Sequence, residues 1–206
     1  MVLVLASASP RRQELLREAG IEFVVQPANV VEEVRAGESP KECAERLAKD
    51  KALAIAKVRR EDWVLGADTV VAVEGEILGK PLDANDATRM LKMLAGREHV
   101  VITGVCLASE AEGRTLRTTE EMSSSSERSV DVRSESTLVT FNQMSEREIA
   151  EYVASGEPMD KAGGYGIQGL ASKWIPRIQG DYANVVGLPV KLVQQMMRDH
   201  GLHESS

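Results

Sequence analysis

The chain has 206 residues, of which 43% are hydrophobic and 28% are charged, and its formal net charge at pH 7 is −7. This length suffices for one well-buried core and no change in composition divides it, so we predict a single domain over residues 1–206. Only 3% of the residues are aromatic, and together with the negative charge this argues against binding to a nucleic acid polymer. An anionic partner is then expected to be small and bound by a local group of cations.

The start of the chain, MVLVLASASPRR, has an apolar run with no basic residue before it, and the run is too short for a signal peptide or a membrane span. We therefore predict a cytoplasmic protein that does not bind membranes. Cys43 and Cys106 lie far apart, in helix-like and strand-like sequence, which favours two core residues over a disulfide or a zinc site. His99, His200 and His203 are predicted to lie at the surface.

The first predicted helix has two arginines in its first turn. It follows the apolar residues 3–5, and Ser9 and Pro10 are residue types favoured at the N-cap and at the first helical position. Arg11 and Arg12 then stand where unpaired N–H groups already carry partial positive charge, which is unfavourable without an anion. A helix N-terminus with arginine side chains is suited to bind phosphate. The alternative is a pair of solvated surface arginines.

A second helix is predicted to begin after the capping box at residues 39–42 and to extend to about residue 58. Lys51 lies on its apolar face at helical spacing, so a cation is predicted where a core residue is usual. A lysine at the edge of this face, with its ammonium in solvent, is the alternative. The apolar residues that define the face are Ala44, Leu47, Ala48, Ile55 and Val58.

The segment WVLGADTVVAV, residues 63–73, is an apolar run typical of a central strand, and Asp68 lies in its middle. A buried carboxylate is costly unless it is paired, hydrogen-bonded or bound to a metal, so Asp68 is a candidate site residue. The alternative is a turn aspartate between two short strands. Lys80, in the sequence Gly79-Lys80-Pro81, is a further isolated cation.

The second half of the chain alternates between predicted strands and helices, which indicates an α/β fold. A polar, serine-rich stretch at about residues 109–136 is predicted to be an exposed loop. The other predicted elements are helix 83–95, the strand REHVVITGVCLAS before the loop, the strand TLVTF after it, helix 145–156, short strands at 174–178 and 184–186, and a last helix from 189 to about 200.

Two glycine patterns match nucleotide-binding motifs only superficially. Residues 164–169 have the spacing GxGxxG, but they follow a polar loop instead of a strand and lead into no predicted helix. Residues 75–81 have a shorter spacing between glycines than a P-loop, and proline stands in place of Ser or Thr. We reject both motifs.

Five motifs in order, SASPRRQELL, RLAKDKA, GADTVV, GKP and DKAGGYGIQG, resemble the Maf (septum formation) family of nucleoside triphosphate pyrophosphatases. The resemblance covers nearly the whole chain. It implies a fold of the inosine triphosphate pyrophosphatase type, with a central mixed sheet flanked by helices and an active-site cleft between two lobes. It also implies a divalent cation, Mg²⁺ or Mn²⁺, and hydrolysis of a nucleoside triphosphate to the monophosphate and pyrophosphate.

The resemblance also implies roles for individual residues. Asp68 would be the catalytic residue and would bind the metal together with Glu32, although the acid that precedes this glutamate in the family is replaced by Val31. Substrate specificity would rest on Arg11, Thr69 and Gln168. The residues implied to bind the substrate phosphates are Ser7, Arg11, Arg12, Lys51, Lys80 and Lys161.

Within the family, the identities of Arg11, Thr69 and Gln168 resemble the dTTP/UTP branch, whereas Trp, Gln and Glu at these positions are typical of the 7-methyl-GTP branch. Hydroxyl and amide groups suit the hydrogen-bonding edge of thymine or uracil. We therefore predict hydrolysis of dTTP and UTP and extend this prediction to modified pyrimidine nucleotides. The alternatives are a 7-methyl-GTP pyrophosphatase and a nucleotide-binding regulator of cell division. A homodimer is left open.

Overall fold

The computed structural model of the protein describes residues 2–110 and 129–202. The strands of this part are β1 (Leu3–Leu5), β2 (Val24–Val25), β3 (Trp63–Val73), β4 (Glu76–Leu78), β5 (Glu98–Ser109), β6 (Ser129–Thr140) and β7 (Arg177–Gln179). The α-helices of this part are α1 (Pro10–Glu18), α2 (Pro40–Ala56), α3 (Ala84–Leu94), α4 (Glu146–Ala154), α5 (Tyr182–Val186) and α6 (Val190–Asp199). Short 3₁₀ segments span Glu157–Asp160, Ala162–Gly164 and Leu170–Trp174.

The strands form one mixed sheet in the order β2-β1-β3-β5-β6-β7, and β4 pairs with β3. β1 is parallel to β2 and β3, whereas the other pairs are antiparallel. β5 covers one edge of β3 from residue 64 to residue 72. On the opposite edge, β1 pairs with residues 63–65 and β4 with residues 71–73. The intervening residues 66–70 have no strand partner on that edge within the described part of the chain.

The gap between β1 and β4 separates two lobes, each with its own apolar core on the same face of the sheet. In the first lobe, α1 and α6 pack on β1 and on the beginning of β3, with Leu16 and Met196 fully buried. In the second lobe, α3, α4 and the 3₁₀ segments pack around Leu91 and Phe141. The predicted α/β fold, with a mixed sheet flanked by helices and a cleft between two lobes, is confirmed.

Helix α2 covers the other face of the sheet and lies very close to it. A Cβ atom on Gly66 would lie 2.2 Å from the carbonyl oxygen of Ala48, and one on Gly104 would lie 2.3 Å from that of Ala44. The two glycines therefore let the backbone of α2 rest directly on β3 and β5. This close approach brings Lys51, on the buried face of α2, against the middle of β3.

The predicted loop at about residues 109–136 is wrong for residues 129–136, because these residues form the first part of β6 and pair with β5. Val130 and Val132 pack against the core under α2 and alternate with polar residues. This period of two is a strand signal, but the high serine content masked it in the sequence. Residues 111–128 of the predicted loop lie outside the described residues.

Two smaller predictions about secondary structure are wrong. Residues 184–186 belong to the short helix α5 and not to a strand, since Asp181 caps this helix by accepting a hydrogen bond from the N–H of Ala183. Val58 is 67% exposed because α2 ends before it, so it does not belong to the apolar face of the helix. Cys43 and Cys106 are buried free thiols, as predicted.

The prediction of a surface position for His99 is also wrong. Its side chain is buried beside Phe141, and its Nε2 atom lies 2.7 Å from the hydroxyl of Tyr165. Desolvation lowers the pKa of His99 from 6.5 to about 4, so the imidazole is neutral at pH 7. His200 is partly exposed, as predicted, and His203 lies outside the described residues.

None of the helices in the described ranges combines the length and the hydropathy that crossing a bilayer requires. The cytoplasmic location stays a prediction.

Candidate active site

A cleft of about 570 Å³ opens beside residues 66–70 of β3, where the strand has no partner on one edge. Among the described residues that line it are five cationic and three acidic side chains, in a chain whose overall charge is −7. Every site residue predicted from the sequence contributes to its wall. These residues are Ser7, Arg11, Arg12, Glu32, Lys51, Asp68, Thr69, Lys80, Lys161 and Gln168.

At the base of the cleft, one ammonium group joins two carboxylates. The Nζ atom of Lys51 lies 2.6 Å from Oδ1 of Asp68 and 2.6 Å from Oε1 of Glu32. Lys51 is only 6% exposed and Asp68 only 7%, so both predictions of an inward-facing charge are confirmed. At the rim, Lys80 contacts the second oxygen of Glu32 at 3.2 Å. This pairing compensates the buried charges.

The charge of Glu32 is held in place by its two lysine partners. Partial burial of Glu32 acts to raise the pKa of its carboxyl group by desolvation. The hydrogen bond and the charge of Lys51, followed by those of Lys80, outweigh this effect and lower the pKa below its usual value. Glu32 is therefore ionised at neutral pH, and its carboxylate oxygens can bind a cation.

The guanidinium of Arg12 is held by three neutral oxygen atoms. Its Nε donates to the carbonyl oxygen of Gly187 at 2.8 Å, Nη1 donates to Oγ of Ser7 at 3.1 Å, and Nη2 donates to Oγ1 of Thr69 at 3.1 Å. Desolvation lowers the pKa of Arg12, while the charges of Asp68 and Glu32 oppose that shift. Because no carboxylate is hydrogen-bonded to this guanidinium within the described residues, its charge is available to an anion in the cleft.

On the opposite wall, Asp160 joins two cations that come from different lobes. Its carboxylate accepts from Nη1 of Arg11 at 3.2 Å and from Nζ of Lys161 at 2.5 Å. Lys161 also donates to the carbonyl oxygen of Glu157 at 2.6 Å. Gln168 lies on the same glycine-rich segment, with its side chain exposed to the cleft. The segment thus brings a cation and an amide to the same side of the cleft.

The sequence did not single out several polar residues behind the cleft. Thr103 on β5 and Asn184 on α5 are both completely buried. The hydroxyl of Thr103 lies within hydrogen-bond distance of the hydroxyl of Thr69 and donates to the carbonyl oxygen of Asn184. Asp160 forms ion pairs with two of the predicted site residues. The available sequence signal for Asn184 was an asparagine in a short segment between two glycines that begins with an N-cap residue type. Thr103 gave no signal, because threonine is common in strands.

Comparison with known proteins identifies the family of the chain. A family model described as Maf-like protein matches residues 2–200. The chain belongs to this family. The family predicted from the five motifs is thereby confirmed.

Among the curated relatives of this Maf-like chain, several carry the name dTTP/UTP pyrophosphatase. The one from Koribacter versatilis (strain Ellin345) is 50% identical over 202 residues, which cover 98% of this chain and 96% of the relative. Those from Symbiobacterium thermophilum and Geobacter metallireducens are 49% and 47% identical, over 97% of this chain and 94% and 96% of their own lengths. Their name is that of the branch predicted from Arg11, Thr69 and Gln168.

A solved structure of a nucleoside-triphosphatase / dITP/XTP pyrophosphatase from Mycobacterium abscessus is similar to this Maf-like chain, with a TM-score of 0.44 and 14% identity. The match covers 98% of this chain and 97% of the other.

Proposed function

We propose that this Maf-like chain hydrolyses dTTP and UTP to the nucleoside monophosphate and pyrophosphate, and that modified pyrimidine nucleotides with the same base edge are also substrates. The observation that carries the proposal is the paired cluster of Asp68, Lys51 and Glu32 at the base of a cleft ringed by cations. The names of relatives at 43–50% identity support the same substrate pair.

The cations of the cleft are suited to bind a triphosphate. Arg12 has N–H groups without an acceptor among the described residues, and Ser7 beside it adds a hydroxyl. Arg11, Lys80 and Lys161 are paired with carboxylates at the rim, and a phosphate of higher charge would compete for them. Binding would thus replace pairs within the protein by pairs with the substrate.

The two carboxylates at the base fit a divalent cation that binds together with the triphosphate. Oxygen atoms of Asp68 and Glu32 both lie 2.6 Å from one point, the Nζ atom of Lys51, and carboxylate oxygens are preferred ligands of Mg²⁺ and Mn²⁺. Within residues 2–110 and 129–202, no group of three or more acidic, histidine or cysteine side chains could hold a metal. Mg²⁺ is commonly held by one or two carboxylates and substrate phosphates, which suits this pair. When bound, the cation would neutralise charge that develops on the leaving pyrophosphate.

Asp68 is placed to act on the attacking water. Its carboxylate lies at the base of the cleft, and Lys51 holds one of its oxygens by a hydrogen bond of 2.6 Å. The other oxygen has no hydrogen-bond partner within residues 2–110 and 129–202, so it is placed to orient a water molecule and to take its proton. The oxygen of this water becomes part of the monophosphate, while the bond between the α-phosphorus and the bridging oxygen breaks and pyrophosphate leaves.

Base selection is proposed to involve Arg11, Thr69 and Gln168, which line the same cleft. Thr69 projects from β3, and Gln168 projects from the glycine-rich segment of the second lobe. A base that leaves the amide of Gln168 unpaired is bound poorly, so purine nucleotides are expected to be poor substrates.

The test is pyrophosphate release from a panel of nucleoside triphosphates, measured with Mg²⁺, with Mn²⁺ and with a chelator. We expect metal-dependent release that is fastest with dTTP and UTP. Gln168→Glu, which replaces an amide donor by an acceptor, should reduce the ratio of dTTP to GTP hydrolysis. Preference of the unaltered protein for 7-methyl-GTP would contradict the substrate assignment, and binding of nucleotides without turnover would favour the regulator. The homodimer stays a prediction.

A further inference from the structure

A chain of hydrogen bonds leads from the cleft into the interior behind Arg12. Nη2 of Arg12 donates to Oγ1 of Thr69 at 3.1 Å, and this oxygen lies 2.9 Å from Oγ1 of Thr103. Thr103 in turn donates to the backbone carbonyl oxygen of Asn184 at 3.1 Å. Thr103 and Asn184 are both completely buried, so no solvent can replace these partners. The chain therefore connects a cleft side chain with helix α5.

The protons of this chain have a fixed direction. A hydroxyl group has one proton, and that of Thr103 points to a carbonyl oxygen, which can only accept. The proton between the two threonines then comes from Thr69, whose lone pair is left to accept from Arg12. A second acceptor for the proton of Thr69 is the carbonyl oxygen of Gly187, at 3.4 Å. In either arrangement this proton stays inside the protein, and Thr69 presents only lone pairs to the guanidinium.

Asn184 supports two of the groups that accept hydrogen bonds from Arg12, the carbonyl oxygen of Gly187 and the hydroxyl of Thr69. Its Nδ2 atom donates to the carbonyl oxygen of Val101 at 3.0 Å and to Oγ1 of Thr137 at 2.9 Å, which fixes α5 to β5 and β6. Gly187 follows α5 directly, and its carbonyl oxygen accepts from Nε of Arg12 at 2.8 Å. Displacement of Asn184 would thus move two of the three acceptors that hold the guanidinium.

We propose that Thr103 and Asn184 are positioning residues for Arg12. They hold its guanidinium through Thr69 and Gly187, so that its remaining N–H groups are aimed into the cleft before a phosphate arrives. A side chain that is already ordered loses less conformational freedom when it binds, which strengthens binding. The inference rests on the proposed function only in that Arg12 binds substrate phosphate.

The test replaces Thr103 by valine, which removes the hydroxyl at nearly constant volume. Binding is measured with inorganic triphosphate, both directly by calorimetry and as inhibition of dTTP hydrolysis, because this probe has no base. We expect the Kd of inorganic triphosphate and the KM of dTTP to rise about tenfold, as for the loss of one buried hydrogen bond, with a much smaller change in kcat. Thr103→Ser keeps the hydroxyl and should restore both constants to within about twofold of the unaltered protein.

A matched control is Thr137→Val, the same buried substitution on the neighbouring strand. The hydroxyl of Thr137 contacts Asn184 and Asp181 but lies two hydrogen bonds further from the guanidinium than that of Thr103 does. We expect a similar fall in melting temperature and a rise in the Kd of only about threefold. An equal effect of the two substitutions on the Kd would mean that Thr103 acts through general stability, and this would overturn the proposal.

The decisive measurement is coupling with Arg12. In an Arg12→Lys background the hydrogen bonds of the guanidinium to Thr69 and Gly187 are absent. Thr103→Val should then change the Kd of inorganic triphosphate by less than about twofold. A full tenfold effect in this background would overturn the proposal. If Thr103→Val does not fold, Thr69→Val breaks the same chain at a partly exposed position and should give the same result. An absence of pyrophosphate release from every nucleotide would contradict the proposed function alone, since inorganic triphosphate still reports on Arg12.

Discussion

Asp68 and Thr69 are neighbours in β3, yet their side chains project to opposite faces of the sheet and enter different environments. On the face covered by α2, Asp68 belongs to a charged cluster with Lys51 and Glu32. On the other face, Thr69 belongs to a chain of hydroxyl and carbonyl groups that carries no charge beyond Arg12. One strand thus supplies two kinds of polar group to one cleft.

The difference between the two faces is one of energetic scale. Removing one member of a buried ion pair leaves an uncompensated charge and typically costs about 3–5 kcal/mol. Removing one neutral hydrogen bond costs about 1 kcal/mol. We therefore expect the larger effects from substitutions in the charged cluster and smaller effects from substitutions in the neutral chain that holds Arg12. Substitutions on each face should differ accordingly.

The largest effect is expected for Asp68→Asn, which removes the proton acceptor while it keeps the shape of the side chain. The kcat for dTTP with Mg²⁺ should fall by about 10²-fold to 10⁴-fold, as for other general bases. The melting temperature should change little, because Lys51 keeps its contact with Glu32. Asp83→Asn, at an exposed helix cap, is the control and should keep full activity. Activity of Asp68→Asn within a few-fold of the unaltered protein would contradict a catalytic role.

Lys51→Met should reduce stability by about 4 kcal/mol at pH 8, because it leaves two facing carboxylates without their common partner. The loss should be smaller at pH 5, since without the ammonium one carboxyl group can bind a proton in the folded state. Urea unfolding at both pH values, against the unaltered protein, measures the difference. Lys49→Met, on the exposed face of the same helix, should change stability little at either pH. An equal loss at both pH values would mean that the carboxylates do not repel one another.

His99 gives the neutral face its own pH dependence. Because burial lowers its pKa from 6.5 to about 4, the unfolded chain binds a proton at higher pH than the folded protein does. Stability is therefore retained above pH 6.5 and should fall by about 3 kcal/mol as the pH decreases to 4. In His99→Gln this part of the decline should be absent, whereas His200→Gln should keep it. Identical pH profiles for His99→Gln and the unaltered protein would show that His99 is not responsible.

Gly66→Ala should have the smallest effect of the four and should act on the charged face alone. The new Cβ would lie 2.2 Å from the carbonyl oxygen of Ala48, so α2 must move away from β3. Overpacking of this kind costs about 2 kcal/mol, and the shift would separate Lys51 from Asp68. Differential scanning calorimetry should show the loss, while Gly79→Ala, with no atom within 4 Å of the new Cβ, should melt like the unaltered protein. A change of equal size in both variants would argue against close packing as the cause.

The charged face could be predicted from the sequence, because a charge in an apolar pattern is conspicuous. Lys51 interrupts the apolar face of a helix, and Asp68 interrupts an apolar strand. The neutral face could not be predicted in the same way. Thr103 is an ordinary strand residue by composition, and its role depends on Asn184, which lies 81 positions later in the chain. Only the folded chain brings these two residues together.

The same limit applies to the secondary structure that was predicted wrongly. The alternation around Val130 and Val132 is short and is embedded in serine-rich sequence, so composition favoured a loop over β6. Pairing with the long strand β5 provides a full row of backbone hydrogen bonds, which local sequence cannot reveal. Similarly, α5 has only five residues and depends on its contacts with β5 and β6, not on helical propensity.

The two lobes share β3 and β5, which run without interruption beneath the cleft for 11 and 12 residues. Neither lobe has a complete sheet of its own, because β3 and β5 continue from the core of one lobe into the core of the other. We therefore expect the protein to unfold in one cooperative step, with a calorimetric enthalpy equal to the van't Hoff enthalpy. Strands that continue beneath the cleft in this way also favour a base that keeps its shape. Any closure around a substrate is then expected to come from the short segments that follow β1, β4 and α4.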